Sequence, residues 1–262
     1  MKETIDVRAH EIYLKGKTNL EFFLIHGYCG SPTDFGHLPE FLNKKYDATV
    51  RAITLPGHGI SIDKLDNLNY KEFLIYAREE LQKDIKAGKK IILGGFSFGS
   101  FIALKLSSES SIVGLFAVSA PHKLKFPFNI YKIENIELIK KYWGNLEVSP
   151  EIENKFKPYY YKKMHIRGLK VIKEANDDMP KYIKNIKIPS LFIHSSHDSI
   201  SKSESAKKIC DQISSEHKQH IIYDNKFHSI FLSYPEKLIF KDIGNFVDRA
   251  ININNSKELR YK

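Results

Sequence analysis

The residues best suited to chemistry are Gly95-Phe96-Ser97-Phe98-Gly99, where a hydroxyl stands midway between two glycines. An apolar run from Lys90 to Gly94 leads into them and a helical stretch to about Ser108 follows, so the serine falls where a strand turns sharply into a helix. On so tight a turn, side chains two residues either way would strike neighbouring backbone, and glycine is wanted at both flanks. A serine hydroxyl is a weak nucleophile at neutral pH. It needs a base within hydrogen-bond reach and an acid to orient that base. The amino end of the following helix would face an oxyanion, so the chemistry expected is attack on an acyl carbon.

With a serine on this kind of turn, the acid and then the histidine follow along the chain. Asp198 lies just after the apolar run PSLFIH, and His228 lies in the loop after QHIIYD. Both fall at carboxyl ends of expected strands, where open parallel sheets gather their sites. Asp177 and Asp178 belong to an irregular stretch, Asp211 to a helix, and Asp224 would crowd the histidine loop, which leaves Asp198 as the acid. Among eleven histidines, His228 is the one in the last loop before the closing helix. Two backbone amides must meet the developing charge. Phe98, after the nucleophile, is one candidate, and Tyr28, after Gly27 in the loop following the first strong strand, is the other. The rings of Tyr28 and Phe98 are expected to wall the acyl pocket. Cys29 has no basic neighbour in sequence and reads as a spectator thiol. His194, His197 and Asp198 form H-x-x-H-D, but side chains diverge at a strand end and no further ligand is near, so no metal is expected. His58 in Pro56-Gly57-His58-Gly59 reads as a loop-fixing hydrogen-bonder.

The elements that must position these residues alternate. Strands are expected at Glu21 to His26, Ala48 to Thr54, Lys90 to Gly94, Ile112 to Val118, Pro189 to His194 and Gln219 to Asp224. Helices are expected at Thr33 to Lys45, Tyr70 to Lys86, from the elbow to about Ser108, Lys202 to Ile213 and Pro235 to about Ile253. This is an α/β pattern, a mostly parallel central sheet with helices on both faces. The segment before Glu21 is expected to hold an edge hairpin. From His122 to Lys187 the alternation gives way to an irregular helical stretch without a clear strand, containing the single tryptophan, Trp143. It reads as a small helical cap inserted into one domain spanning 1–262. Its aromatic residues (Tyr142, Trp143, Tyr159, Tyr160, Tyr161) either line a substrate tunnel, with Trp143 in contact with substrate, or pack the cap's own core.

Composition narrows the classes. At 262 residues, with 42% hydrophobic and 27% charged residues, the chain is long enough to bury a core and is neither disordered, collagen-like nor coiled coil. No run approaches a transmembrane length and the charged start lacks a signal-peptide core, so a cytoplasmic location is expected. Two cysteines are too few for a disulfide framework. The net charge is +10, yet only six of the 41 basic residues are arginine and the lysines are spread along the chain, which argues against nucleic acid. No cofactor motif is present: the glycines around Ser97 form neither a dinucleotide nor a phosphate loop.

The pieces FFLIHGYCGSPTDF, ITLPGHG, IILGGFSFGS, PSLFIHSSHDSIS and KFHSIF, in this order and spacing, resemble the α/β-hydrolase superfamily, and within it the carboxylesterases and monoacylglycerol lipases of prokaryotes. The resemblance implies the α/β-hydrolase fold, with Ser97 as nucleophile, Asp198 as acid, His228 as base and the Tyr28 and Phe98 amides as oxyanion hole. It implies a serine carboxylesterase acting on small to medium esters. A monoacylglycerol or lysophospholipid lipase, a thioesterase, an acyltransferase, a peptidase and an idle ligand-binding fold are the alternatives. Two departures bear on pocket shape: Ser100 stands where relatives often have glycine, and Phe227 where they often have glycine or serine. The expected partner is a small-molecule ester. Peripheral membrane contact, and a monomer or a homodimer, are left open.

Overall fold

Alternation along the strands decides the layers. The computed structural model describes residues 4–125, 141–144 and 148–260. In chain order the strands are β1 (Ile12–Leu14), β2 (Leu20–Ile25), β3 (Thr49–Ile53), β4 (Lys90–Phe96), β5 (Gly114–Val118), β6 (Tyr142–Trp143), β7 (Met164–His165), β8 (Ser190–Ser195) and β9 (Lys218–Tyr223). Seven of them form one sheet in the order β1-β3-β2-β4-β5-β8-β9, parallel throughout except for β1, while β6 and β7 pair separately. Phe23 and Ile25 of β2 face one apolar cluster and Phe22 and Leu24 the other, and both faces are buried, so the strand reads as an unbroken apolar run.

The helices are α1 (Leu38–Tyr46), α2 (Tyr70–Lys86), α3 (Phe98–Glu109), α4 (Pro150–Phe156), α5 (Arg167–Asp178), α6 (Glu204–Gln212), α7 (Ile230–Ser233) and α8 (Glu236–Arg260). Phe73 and Leu81 of α2, Phe101 and Leu104 of α3 and Ile209 of α6 cover one face, and Leu38 and Leu42 of α1 with Ile239, Ile243 and Val247 of α8 cover the other. Local signals set the ends: Asn69 accepts the Lys71 and Glu72 amides while Glu72 accepts the Asn69 amide, a capping box that starts α2.

The strands lie within about two residues of the expected ones, with four differences elsewhere. The expected helix from Thr33 to Lys45 is a 3-10 turn (Pro32–Phe35) and α1, parted by Gly36 at φ 53°, a left-handed turn that a continuous helix cannot hold. The expected edge hairpin is the single strand β1, which pairs antiparallel with β3 across the sheet edge. The stretch expected to lack strands contains β6 and β7. The closing helix runs on to Arg260, past Ile253.

The chain leaves β2 for β3 on one side and returns to β4 on the other, so the loops after β2 and β4 open into the crevice where strand order reverses. Between β5 and β8, α5 buries Leu169, Val171, Ile172 and Ala175 in the main core, whereas α4 buries no residue. Among the described residues no helix is long and apolar enough to cross a membrane.

Candidate active site

Ser97 stands at the end of β4 with φ 51° and ψ −120°, a backbone state unusual for a residue with a side chain. Its neighbours show what enforces this. A Cβ on Gly95 would lie 2.5 Å from the Ser100 Cα, and one on Gly99 would lie 2.1 Å from the Ile25 carbonyl oxygen, so backbone passes where side chains would be. The Ser97 amide donates to the Val118 carbonyl (2.8 Å). Ser100 bridges the turn, its hydroxyl lying 3.0 Å from the Gly95 carbonyl and 3.1 Å from that of Val118. The departure at Ser100 therefore adds a tie across the elbow.

His228 Nε2 lies 2.8 Å from Ser97 Oγ, and its Nδ1 lies 2.7 Å from Asp198 Oδ2. The three side chains expected to act together are brought into one hydrogen-bonded chain. The Ile200 and Ser201 amides donate to Asp198 Oδ1 (2.7 and 2.9 Å), while the Ser201 hydroxyl (3.2 Å) and His194 Nε2 (3.1 Å) reach Oδ2. Burial opposes ionisation of Asp198, yet the His228 and His194 imidazoles beside it hold its carboxyl well below the usual range. His194 is itself fully buried, and burial pushes its pKa down against the pull of Asp198. The His228 loop is fixed from below: the Ser119 hydroxyl donates to the His228 carbonyl (3.0 Å), and the Ser195 hydroxyl and Asn225 amide to that of Phe227 (2.8 and 3.2 Å).

The loop after β2 comes close to the elbow, a Cβ on Gly27 falling 3.2 Å from that of Ser97. Among the described residues neither the Tyr28 nor the Phe98 backbone amide has a hydrogen-bond partner, which leaves both available to a ligand. Two histidines set this loop. His26 Nδ1 donates to the Gly27 carbonyl (2.8 Å) and Nε2 accepts the Leu55 amide (3.0 Å). His58 Nδ1 donates to the Pro56 carbonyl (3.0 Å) and Nε2 accepts the Cys29 amide (3.2 Å). Burial pushes the His26 pKa far down and that of His58 to about 4, so both are neutral. The loop-fixing reading of His58 agrees with this geometry. The Cys29 thiol is buried and pushed up to about 12, which keeps it protonated.

A cavity of about 350 Å³ opens over Ser97 and His228. Leu124, Ile152, Met164, Leu169, Ile172 and Leu232 give it a mostly apolar wall, and Tyr28, Tyr160 and Phe227 also line it. The Phe98 side chain does not: it is fully buried and its ring packs edge-on against Phe73 and Tyr70. The expectation of a Phe98 ring in the acyl pocket is thus corrected, because the first residue of α3 turns its side chain beneath the helix into the core. The Trp143 side chain lies outside the described residues; its backbone pairs with Met164. The tyrosines expected to line a tunnel or pack a cap core divide. Tyr160 reaches the cavity, whereas the Tyr159 hydroxyl donates to Ile60 (3.2 Å) and that of Tyr161 to Gly57 (2.8 Å), clasping the loops below. Asp211 pairs with Lys207, Asp177 with Lys173 and Asp178 with Lys181, and exposed Asp224 faces His197, so none of the alternative acids reaches His228.

Sequence reasoning weighed His194 only as a metal ligand, without its contact to Asp198, and missed His26 and Asp34. Asp34 is buried, lines the cavity and accepts the Gly27 amide at Oδ2 (3.0 Å). Both histidines end apolar runs, FFLIH and SLFIH, and that shared position was the available signal.

The family described as serine aminopeptidase, S33, matches residues 16–233. A carboxylesterase of Bacillus subtilis (strain 168) is 25% identical over 230 residues, covering 86% of this chain and 91% of that protein. A solved structure from a study of LipS and LipT, two metagenome-derived lipolytic enzymes, superposes with TM-score 0.83 at 16% identity, over 94% of this chain and 100% of that one. A monoacylglycerol lipase of Paleococcus ferrophilus gives 0.74 at 17% identity, over 92% and 98%.

Proposed function

The chain belongs to the serine aminopeptidase S33 family and has the α/β-hydrolase fold, and on that premise we propose that it is a serine carboxylesterase hydrolysing small to medium carboxylic esters through an acyl-enzyme on Ser97. We read it as one hydrolase domain whose insertion, about 122–187, caps the site. The observation that carries the ester reading is the cavity wall. An aminopeptidase must hold a substrate ammonium group beside the scissile bond, which calls for an ionised acid. The one acid among the described lining residues is Asp34, whose Oδ2 is taken up by the Gly27 amide of the loop after β2 (3.0 Å), and the rest of the wall is mainly apolar. A cavity of about 350 Å³ favours acyl groups of modest length.

In the reaction the Ser97 oxygen attacks the ester carbonyl carbon while His228 Nε2 takes the hydroxyl proton. Asp198 accepts the Nδ1 proton's hydrogen bond, which fixes the tautomer and stabilises the imidazolium. The Tyr28 and Phe98 amides receive the oxyanion. The carbon–oxygen bond to the alcohol breaks as His228 returns its proton to the leaving oxygen. Water then attacks the acyl-enzyme by the same path and releases the acid and free Ser97.

Burst kinetics with p-nitrophenyl esters of increasing acyl length, on the native protein and Ser97→Ala, tests this. We expect a burst lost in the variant, with turnover down about 10⁴-fold or more and a maximum at short to medium chains. Full turnover in Ser97→Ala would remove the mechanism, and a maximum at long chains would replace the esterase by a lipase.

A further inference from the structure

Asp34 has no part in the reaction just described, yet it lines the same cavity as Ser97 and His228. It closes the 3-10 turn Pro32–Phe35, its amide donating to the Ser31 carbonyl (2.9 Å), which points its side chain back at the oxyanion loop. Oδ2 accepts the amide of Gly27, the residue before Tyr28 (3.0 Å). The loop folds closely round the carboxyl: a Cβ on Gly30 would lie 2.1 Å from Oδ2 and 2.6 Å from Oδ1. Among the described residues, the groups that face it are the Gly27 and Ser31 amides, the Cys29 thiol and the His228 imidazole, and no Lys or Arg pairs with it.

We propose that Asp34 is a positioning residue for the oxyanion-hole loop and that it works as the uncharged acid. The inference rests on the esterase reading, because it assigns Asp34 to the loop that holds the oxyanion. A carboxyl enclosed by a loop without a cation is costly to ionise. Consistent with this, burial pushes it up to about 7, opposed by the Gly27 and Ser31 amides and by any charge on His228. The neutral acid keeps a carbonyl oxygen that accepts the Gly27 amide, and so keeps the Tyr28 amide in place. A carboxylate here would add a negative charge beside the oxyanion that forms on the substrate, and like charges in a desolvated pocket repel strongly. Activity therefore falls as Asp34 ionises, a loss that a buried structural acid acting only through folding would not impose on kcat.

The test is kcat and KM from pH 5.5 to 9 on a short p-nitrophenyl ester, per active site by burst titration, for the native protein, Asp34→Asn and Asp34→Ala, with Ser97→Ala beside them. Read as a ratio to Asp34→Asn, which shares every other titrating group, native kcat is expected to fall about 3- to 10-fold as pH rises through and above 7. Asp34→Asn keeps the acceptor but not the charge, so its profile lacks this fall. Asp34→Ala frees the Gly27 amide and lowers kcat about 10- to 100-fold across the range, with KM changed less than about threefold. Asn therefore rescues what Ala loses. The same alkaline fall in Asp34→Asn as in the native protein, or a native kcat in Asp34→Ala, overturns the inference. If Asp34→Ala does not fold, the Asn profile alone decides. Activity surviving in Ser97→Ala would instead remove the esterase mechanism, so the two failures are distinct.

Discussion

Two pairs of buried histidines flank Ser97, and the same residue type does opposite work in each. On the oxyanion side, His26 and His58 each accept one backbone amide and donate to one carbonyl, and among the described residues no carboxylate is a hydrogen-bond partner of either. Their rings stand edge to face with centroids 4.9 Å apart, as neutral struts for the Gly27–Gly30 loop. On the acid–base side, His228 and His194 both reach Asp198 Oδ2, at 2.7 and 3.1 Å. An imidazole can carry a proton where a carboxylate stabilises the charge, and cannot where an amide N–H already occupies its acceptor nitrogen. Burial pushes His26, His58 and His194 down alike, so what separates the two pairs is the group each ring holds: backbone on one side, the Asp198 carboxylate on the other.

The largest expected effect breaks the symmetry between the pairs. His228→Ala removes the ring hydrogen-bonded to Ser97 Oγ, the proton acceptor of the proposed mechanism, and should lower kcat/KM by about 10⁴-fold or more, with burst titration finding no acyl-enzyme. No single substitution at His26 or His58 should approach that loss if those rings only hold backbone. A comparable collapse in a folded His58 variant would mean that the oxyanion-side pair also moves protons.

This division was only half legible in the sequence, for physical reasons. That Ser97, Asp198 and His228 would meet was readable because the chemistry restricts residue type and the parallel sheet restricts place, each sitting where a strand ends. His58 was readable as a brace from its proline and glycine neighbours. The direction of the Phe98 ring was not readable, since α3 is apolar nearly all round and its period carries no facing signal. The pairing of β1 with β3 joins residues some forty positions apart, such as Ile12 and Ala52, which no local pattern records. Asp34 sits in Ser31-Pro32-Thr33-Asp34, an ordinary turn composition, and became buried only when the loop after β2 folded over it. Tyr159, Tyr160 and Tyr161 look alike in sequence, yet the middle one turns to the cavity and its neighbours to the loops beneath.

A middle-sized effect sharpens the comparison through pH. The folded pKa of His58 is pushed down to about 4, whereas an unfolded histidine titrates near 6.5. Between those values the unfolded chain binds a proton that the folded protein does not, so stability rises with pH across the window and is lost on acidification. Buried His26 and His194, also held low, add to the slope. His58→Gln should therefore show a shallower loss of Tm between pH 6.5 and 4 by thermal melts, together with a kcat about 10- to 30-fold lower from a looser Cys29 amide. An unchanged slope would mean that His58 is protonated in the folded state and is no neutral strut.

The smallest effect tests how unequal the two histidines on Asp198 are. His194 Nε2 is shared between Asp198 Oδ2 (3.1 Å) and the Ser201 hydroxyl (2.9 Å), and among the described residues its Nδ1 has no hydrogen-bond partner. Asp198 would keep the Ile200 and Ser201 amides and the Ser201 hydroxyl without it. The carboxylate should therefore stay ionised and stay aimed at His228 in His194→Gln, whose amide can still donate from a similar position. We expect kcat/KM to fall no more than about tenfold, with KM nearly constant, the size of one charge-assisted hydrogen bond among several. A loss near that of His228→Ala would show that the two rings and Asp198 act as one unit, because subtraction within a unit is grossly non-additive. The double variant with Asp198→Asn separates the cases: if His194 acts only by orienting Asp198, its loss adds nothing once the carboxylate is gone.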